Sequence, residues 1–350
     1  MRILSSLSAP SMDRFRFSMG SLRSIMRYAF SKKTFSLLLG ALLGILSTYG
    51  LYPWSLNSSA EQSAESHYKS GISYVEQRKY PEAMREFKEA IKLKSDYAEA
   101  YHSLGPLYYL QGNFEAAVNS VKQAIRLKSG YAEAYNTLGS LYSAGNQPVE
   151  AAWAFAEALR IRPDYLEALI HLGWIDYAQG MVDKATEELK KARQIDPNHF
   201  DPHFLLALIY HQKEQYVEAL EEFKEASRIR PDHPETHQYL GSLYSAQGNY
   251  PEAVREFREV IKSGSKDAAA YNDLAWLLID KDLDIDEGIE LAHRSLEIGA
   301  EYVGAMRTLG WGYYKKGRYK ESVEWFQKAL ERLPQDKELQ EALERAKQRL

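Results

Sequence analysis

AEAYNTLGSLYSAGNQPVEAAWAFAEALRIRPDY, residues 132–165, reads as two helices joined by a turn. Tyr135, Leu138, Gly139 and Tyr142 stand at i, i+3, i+4 and i+7, the spacing of one helical face. Ala151, Phe155 and Ala158 mark one face of a second helix, and Pro163 ends it by disfavouring α geometry in the residue before it. Where the two helices cross, a small residue lets the backbones approach and receive the partner's Tyr, Leu or Phe. A bulky one would force off-rotamer packing at about 1–3 kcal/mol.

Moving outward, the same 34-residue unit recurs along the chain, the kind of self-similarity that marks a repeat architecture. Taking Ala64 as position 1, eight repeats span 64–97, 98–131, 132–165, 166–199, 200–233, 234–267, 268–302 and 303–336, of which only the seventh has 35 residues. Position 8 reads Gly71, Gly105, Gly139, Gly173, Ala207, Gly241, Ala275 and Gly310. Position 20, moved by one in the seventh repeat, reads Ala83, Ala117, Ala151, Ala185, Ala219, Ala253, Gly288 and Ser322. All sixteen are small, with chance odds on the order of 10⁻¹⁰. Turn signals such as Gln111-Gly112-Asn113 and Gln247-Gly248-Asn249 separate the helices. The last 14 residues, 337–350, carry the stripe Leu339, Ala342, Leu343, Ala346 and Leu350 and are expected to form a capping helix.

The pattern Tyr-x-x-Leu-Gly-x-x-Tyr…Ala-x-x-x-Phe-x-x-Ala…Pro resembles the tetratricopeptide repeat over residues 64–336. Departures are local: Ser95, Ser129 and Ser265 replace the late proline, Asp176 replaces the tyrosine of position 11, and the seventh repeat has a longer, acidic turn. The resemblance implies an all-α fold, a right-handed α-solenoid of helix-turn-helix units in which first helices line a concave surface and second helices form the outer wall.

Residues 1–33 form a basic tail with seven Arg or Lys against the single Asp13. FSLLLGALLGILSTYGLYPW, within the segment 34–54, then runs without a charge for about the 30 Å of a bilayer core. Lys32 and Lys33 before it, and Tyr49, Tyr52 and Trp54 at its far end, suit a transmembrane helix with a cytoplasmic N-terminus and extracytoplasmic repeats, periplasmic in a bacterium. A cleaved secretory signal and an organellar transit peptide are the rival readings, in that order. Gly40 and Gly44 form a GxxxG that is weak evidence for helix pairing. Residues 55–63 are expected to be a linker.

The whole chain has 350 residues, 45% hydrophobic and 26% charged, which excludes wholesale disorder. Its net charge of −4 divides into +6 for residues 1–33 and −10 for the rest. An acidic body has no footprint for a nucleic acid backbone. The absence of cysteine removes disulfides, thiolate zinc sites and thiol nucleophiles.

Positions 5, 9, 12 and 13 share a helical face turned away from the stripe of positions 4, 7, 8 and 11, and in the tetratricopeptide family such positions line the groove. The aromatics there are Tyr68, Tyr109, Trp174, Tyr177, Phe204, Trp276, Trp311 and Tyr314. Exposed aromatics are the anchors of binding surfaces. For each taken singly, packing against the neighbouring repeat is an equal alternative. Ile72, Leu110, Ile170, Leu208 and Ile279 make the face apolar, and Asn136, Gln238 and Asn272 could bond the backbone of an extended peptide. Arg307 and Lys315 are its only basic residues, too few for the carboxylate clamp of chaperone-tail binders, and position 6 carries no asparagine ladder.

Acids recur at position 2, from Glu65, Glu99 and Glu133 onward, where a helix dipole itself favours them. Asp280, Asp282, Asp284 and Asp286 fail the calcium-loop pattern, since Glu287 and His293 fall where its glycine and glutamate belong. His199/His203 and His233/His237 straddle repeat boundaries and suit no metal, so no metal or cofactor is expected. No phosphate loop, nucleophile elbow or HExxH occurs. The reading is a membrane-anchored scaffold that holds an extended segment of a partner protein in its groove. The alternative is an accessory of polysaccharide binding or export that stacks sugars on the same aromatics.

Overall fold

A computed structural model describes residues 59–264 and 266–350. Among these there are seventeen helices and no strand. In chain order, α1 (Ser59–Glu76) packs with α2 (Tyr80–Leu93), α3 (Ala98–Leu110) with α4 (Phe114–Leu127), and α5 (Ala132–Ala144) with α6 (Pro148–Ile161); α7 (Leu166–Ala178) and α8 (Val182–Ile195) follow. Then come α9 (Phe200–Gln212) with α10 (Tyr216–Ile229), α11 (Pro234–Ala246) with α12 (Tyr250–Lys262), α13 (Ala268–Asp280) with α14 (Ile285–Ile298), and α15 (Val303–Lys315) with α16 (Tyr319–Arg332). A last helix, α17, spans Lys337–Lys347.

Residues 55–63, expected as a linker, are in part helical, because α1 already begins at Ser59. Ala60, Glu61, Gln62 and Ala64 are strong helix formers with no breaker among them, so the first helix extends ahead of the repeat boundary. The tail of 1–33 and the segment 34–54 lie outside the described residues. Among the described residues no helix is long and apolar enough to cross a membrane.

The helices fall into two compact units that divide between Ile175 and Asp176. In the first unit, Phe87, Leu104 and Leu107 form one core and Val121, Leu138, Leu141 and Phe155 another. In the second, Leu206, Ile209, Phe223 and Leu274 are almost wholly buried. Phe326 packs with Leu339, Ala342, Leu343 and Ala346 of α17, whose first turn is closed by the Asp336 carboxylate accepting from the Leu339 N–H at 3.0 Å. Leu350, read as the end of the capping stripe, lies past the end of α17 and is exposed.

The small residues at position 8 have the steric role expected of them. A Cβ at Gly139 would stand 2.7 Å from the Phe155 ring, at Gly241 2.7 Å from Phe257, and at Gly310 2.5 Å from Phe326. Each distance is shorter than carbon atoms tolerate, so the crossing of the two helices depends on the missing side chain. Position 15, the turn inside each hairpin, is left-handed throughout. It is filled by Gly112, Gly180, Gly248 and Gly317 in four repeats, and by Arg78 (φ 59°), Asn146 (57°), Glu214 (59°) and Asp282 (53°) in the others.

Many of the tyrosines are explained by the same register. At position 11 they lie under a lysine from the preceding second helix: Lys88 over Tyr108 at 5.2 Å and Lys122 over Tyr142 at 5.6 Å in the first unit. The second unit has Lys190 over Tyr210 at 5.9 Å and Lys224 over Tyr244 at 5.5 Å. These cation–π contacts add to the apolar packing between repeats.

Candidate functional site

In the first unit, Tyr68 lies against Phe87 (ring centroids 5.5 Å) and Tyr97 (5.0 Å), and burial pushes its hydroxyl up. Tyr109 and Trp174 are half-buried against the core built around Leu138 and Phe155. Asn136 is buried. None of these four presents a wholly open side chain, because successive first helices pack on one another and cover the face that points away from their own hairpin.

A polar ladder runs along that seam. The residue at position 5 of one repeat meets position 6 of the next. Tyr68 hydrogen-bonds Ser103, and His102 Nε2 lies 2.8 Å from Thr137 Oγ1. In the second unit the Gln238 amide donates to Asp273, and Thr308 Oγ1 donates to Asn272 Oδ1 at 2.7 Å. The amides expected to reach a peptide backbone are therefore differently employed: those of Gln238 and Asn272 join one repeat to the next, and that of Asn136 is buried. The apolar members of the face are likewise core. Ile72, Ile170, Leu208 and Ile279 are buried, and only Leu110 is exposed.

Among the aromatics of the second unit, Phe204 is enclosed by Phe200 (5.3 Å), Phe223 (5.9 Å) and His233 (5.0 Å). Burial raises the pKa of Tyr177. Trp311 packs edge-on to Phe326 at 5.5 Å and to Tyr314 at 5.6 Å, and Tyr314 meets Tyr319 at 5.5 Å. Trp276 differs from all of these. It is 36% exposed, and the exposed guanidinium of Arg307 stands 6.0 Å from its ring centroid. Lys315 is drawn away from the face, donating to the carbonyls of Ile279 (2.8 Å) and Asp280 (2.9 Å) and to Asp282 Oδ1 (3.0 Å). Of the aromatic and polar residues expected in the groove, Trp276 and Arg307 form the open pair.

Hairpins of this length, with small residues at the crossing and a helix cap, define a repeat class, and its family models match most of the sequence. Models described as TPR repeat match residues 71–112 and 105–145, and models described as tetratricopeptide repeat match 141–209, 179–234, 210–277 and 303–336. The chain belongs to the tetratricopeptide-repeat family. The matching models describe a repeat and indicate no catalytic family. No curated protein matches the sequence significantly. Among solved structures, the chain is similar to PilF of Pseudomonas aeruginosa, with 20% identity, 59% of this chain and 94% of that one covered, and a TM-score of 0.53. A tetratricopeptide repeat protein of Parabacteroides merdae is 16% identical over 72% of this chain and 99% of its own, with a TM-score of 0.50. YrrB, described as a TPR protein with an unusual peptide-binding site, is 22% identical over 51% of this chain and 96% of its own, with a TM-score of 0.43. Likeness at these identities is likeness of fold.

Two of the acids at position 2 of these tetratricopeptide repeats are paired with a cation at the end of their own repeat. Lys128 meets Glu99 at 2.9 Å and Arg162 meets Glu133 at 2.8 Å. The same two cations lie over Tyr131 (4.5 Å) and Tyr165 (3.5 Å). His171 stacks on Phe155 at 5.1 Å, and burial holds His211 below the ordinary imidazole range.

The second helices also carry exposed apolar side chains, outside the face expected to bind. On α6, Trp153 is 52% exposed and Val149 71% exposed. Their signal was present in the register: position 22 reads Arg85, Asn119, Glu187, Glu221, Arg255 and Glu324 elsewhere, so a tryptophan there breaks a polar column. Position 22 lies on the second helix, outside the first-helix face that forms the groove of such repeats.

Proposed function

We propose that the protein is a scaffold that holds an extended segment of a partner protein along the first-helix face of its second unit, with Trp276 and Arg307 as the anchor. The observation that carries this reading is the exposed indole of Trp276 beside the exposed guanidinium of Arg307, on a face whose other aromatics are packed. An indole offers a large apolar plane at small rotamer cost, and an arginine beside it can bond a backbone carbonyl or a carboxylate of the bound segment. The remaining positions of the face supply a rigid wall rather than further contacts.

The anchor of this scaffold in the membrane is the segment 34–54, with residues 1–33 in the cytoplasm and the repeats on the other side. The support is the asymmetry of charge, +6 before the apolar segment against an acidic body after it. Protease treatment of sealed vesicles with the cytoplasmic face outward tests it: the repeats are protected until the membrane is opened, and their digestion in such intact vesicles contradicts the orientation.

For the binding face, Trp276→Ala with Arg307→Ala is expected to abolish capture of the partner by the full-length protein while thermal unfolding and helical content stay unchanged. Capture that survives the double substitution contradicts the assignment, as does saturable oligosaccharide binding without a protein partner.

A further inference from the structure

His203 and His237 occupy the same place, position 4 of the fifth and sixth repeats, and both are buried. His203 Nδ1 lies 2.6 Å from Glu222 Oε2 and its Nε2 lies 2.9 Å from the Pro197 carbonyl oxygen. His237 repeats the arrangement, 2.7 Å from Glu256 Oε2 and 2.8 Å from the Pro231 carbonyl oxygen. A carbonyl and an ionised carboxylate can only accept. A neutral imidazole has one N–H and satisfies one of them. Both are satisfied when the ring carries two protons.

The second proton belongs to the imidazole rather than the carboxyl, because each carboxylate has another cation on it. Arg193 of α8 donates to Glu222 Oε1, and Arg255 of α12 lies 3.1 Å from Glu256 Oε1. The other charged or titratable groups facing His237 are Glu259 of α12 and His233 at the start of α11. Each clasp thus joins three pieces: the first helix of a repeat, its second helix, and the loop that closes the repeat before it. All of them lie in the second unit.

His102 supplies the contrast. Its nitrogens meet the hydroxyls of Tyr131 (3.1 Å) and Thr137 (2.8 Å), groups that donate or accept as needed. A neutral ring is fully satisfied there, and burial holds its pKa down at about 4.

We propose that His203 and His237 form a pH-operated latch on the fifth and sixth repeats, closed while both rings are doubly protonated and released as each loses a proton to leave the loop carbonyl or the carboxylate without its donor. The hydrogen bond to glutamate raises each imidazole above its ordinary value, more than burial lowers it. A pKa raised by folding gives stability that is complete below the unfolded value, about 6.5, and is lost as pH climbs through the folded one. The latch therefore opens toward alkaline pH. It stands whether or not the first-helix face binds a segment.

The test uses the full-length protein in detergent micelles with histidine labelled at Cε1, so that all nine imidazoles are followed by NMR across pH 4 to 9. Two resonances, assigned by their loss in His203→Gln and His237→Gln, are expected to titrate above pH 6.5, and the His102 resonance below 5. The unfolding midpoint is expected to fall between pH 6 and 8.5, and the double substitution to remove at least half of that fall. Fewer than two resonances titrating above 6.5 overturns the proposal, as does an unchanged pH slope in a folded double variant. Should the double variant not fold, Glu222→Gln with Glu256→Gln replaces it, and is expected to bring both resonances down to 6.5 or lower.

Discussion

His102, half-buried in the unit that ends at Ile175, and His237, buried in the unit that begins at Asp176, lie on first helices one position apart in the repeat. A step of one residue turns the side chain by about 100° around the helix. At position 5 the ring meets the next first helix and its hydroxyls. At position 4 it meets its own second helix, where a glutamate stands, and the carbonyl of the preceding loop. Loss of water lowers both imidazoles, and for His237 the glutamate outweighs it. The partners distinguish them, and these two histidines therefore answer differently to pH.

That comparison breaks most visibly when a partner is removed. Glu256→Ala leaves His237 and Arg255 facing a vacated carboxylate, and should cost about 3 kcal/mol in chemical denaturation near pH 6. Gly241→Val, which disturbs the same hairpin with no change of charge, should cost about 2 kcal/mol through its clash with Phe257, equally at pH 6 and pH 8. In the first unit, Thr137→Val removes one neutral hydrogen bond from His102 and should cost about 1 kcal/mol, with no pH dependence above pH 5.

A second carboxyl sharpens the comparison from within the second unit. Glu188 is buried and is pushed up to about 8 by desolvation and by the neighbouring charge of Asp176. Lys184 lies 2.7 Å from Asp176 Oδ2, close enough for an ion pair though poorly aligned for a hydrogen bond. A carboxyl whose folded pKa is raised holds a proton that the unfolded chain has released, so stability falls as pH rises from about 4.3 to 8. Glu188→Gln should flatten that decline, including the part below pH 6.5 that the histidines do not contribute. The smallest expected effect is at the turns: Glu214→Gly relieves a left-handed φ of 59° and should raise stability by up to about 1 kcal/mol, measured as a higher unfolding midpoint.

The hairpins were legible because small residues at positions 8 and 20 must recur wherever two helices cross closely. Gly139 and Phe155 show why: one lacks the atom that the other's ring displaces. The face lining was less legible. Spacing says that Asn272 and Ile279 point away from their own second helix, but not that the next first helix covers them. Coverage depends on the angle between repeats, which no single repeat encodes. Trp276 stays open and Asn272 does not, though both lie on α13, four residues apart. The histidine clasps were illegible for a related reason. The spacing of His233 and His237 suggested a metal pair to be dismissed, while the partner that matters, Glu256, stands nineteen residues away on the second helix.

The most direct measurement places a photo-activated cross-linking residue at position 276 in the full-length protein and maps the adducts formed in its native membrane. The scaffold reading predicts adducts to one extended segment of a single partner, lost when Arg307 is replaced by Ala. Adducts only to this chain's own neighbouring helices, with the partner still captured, would contradict it.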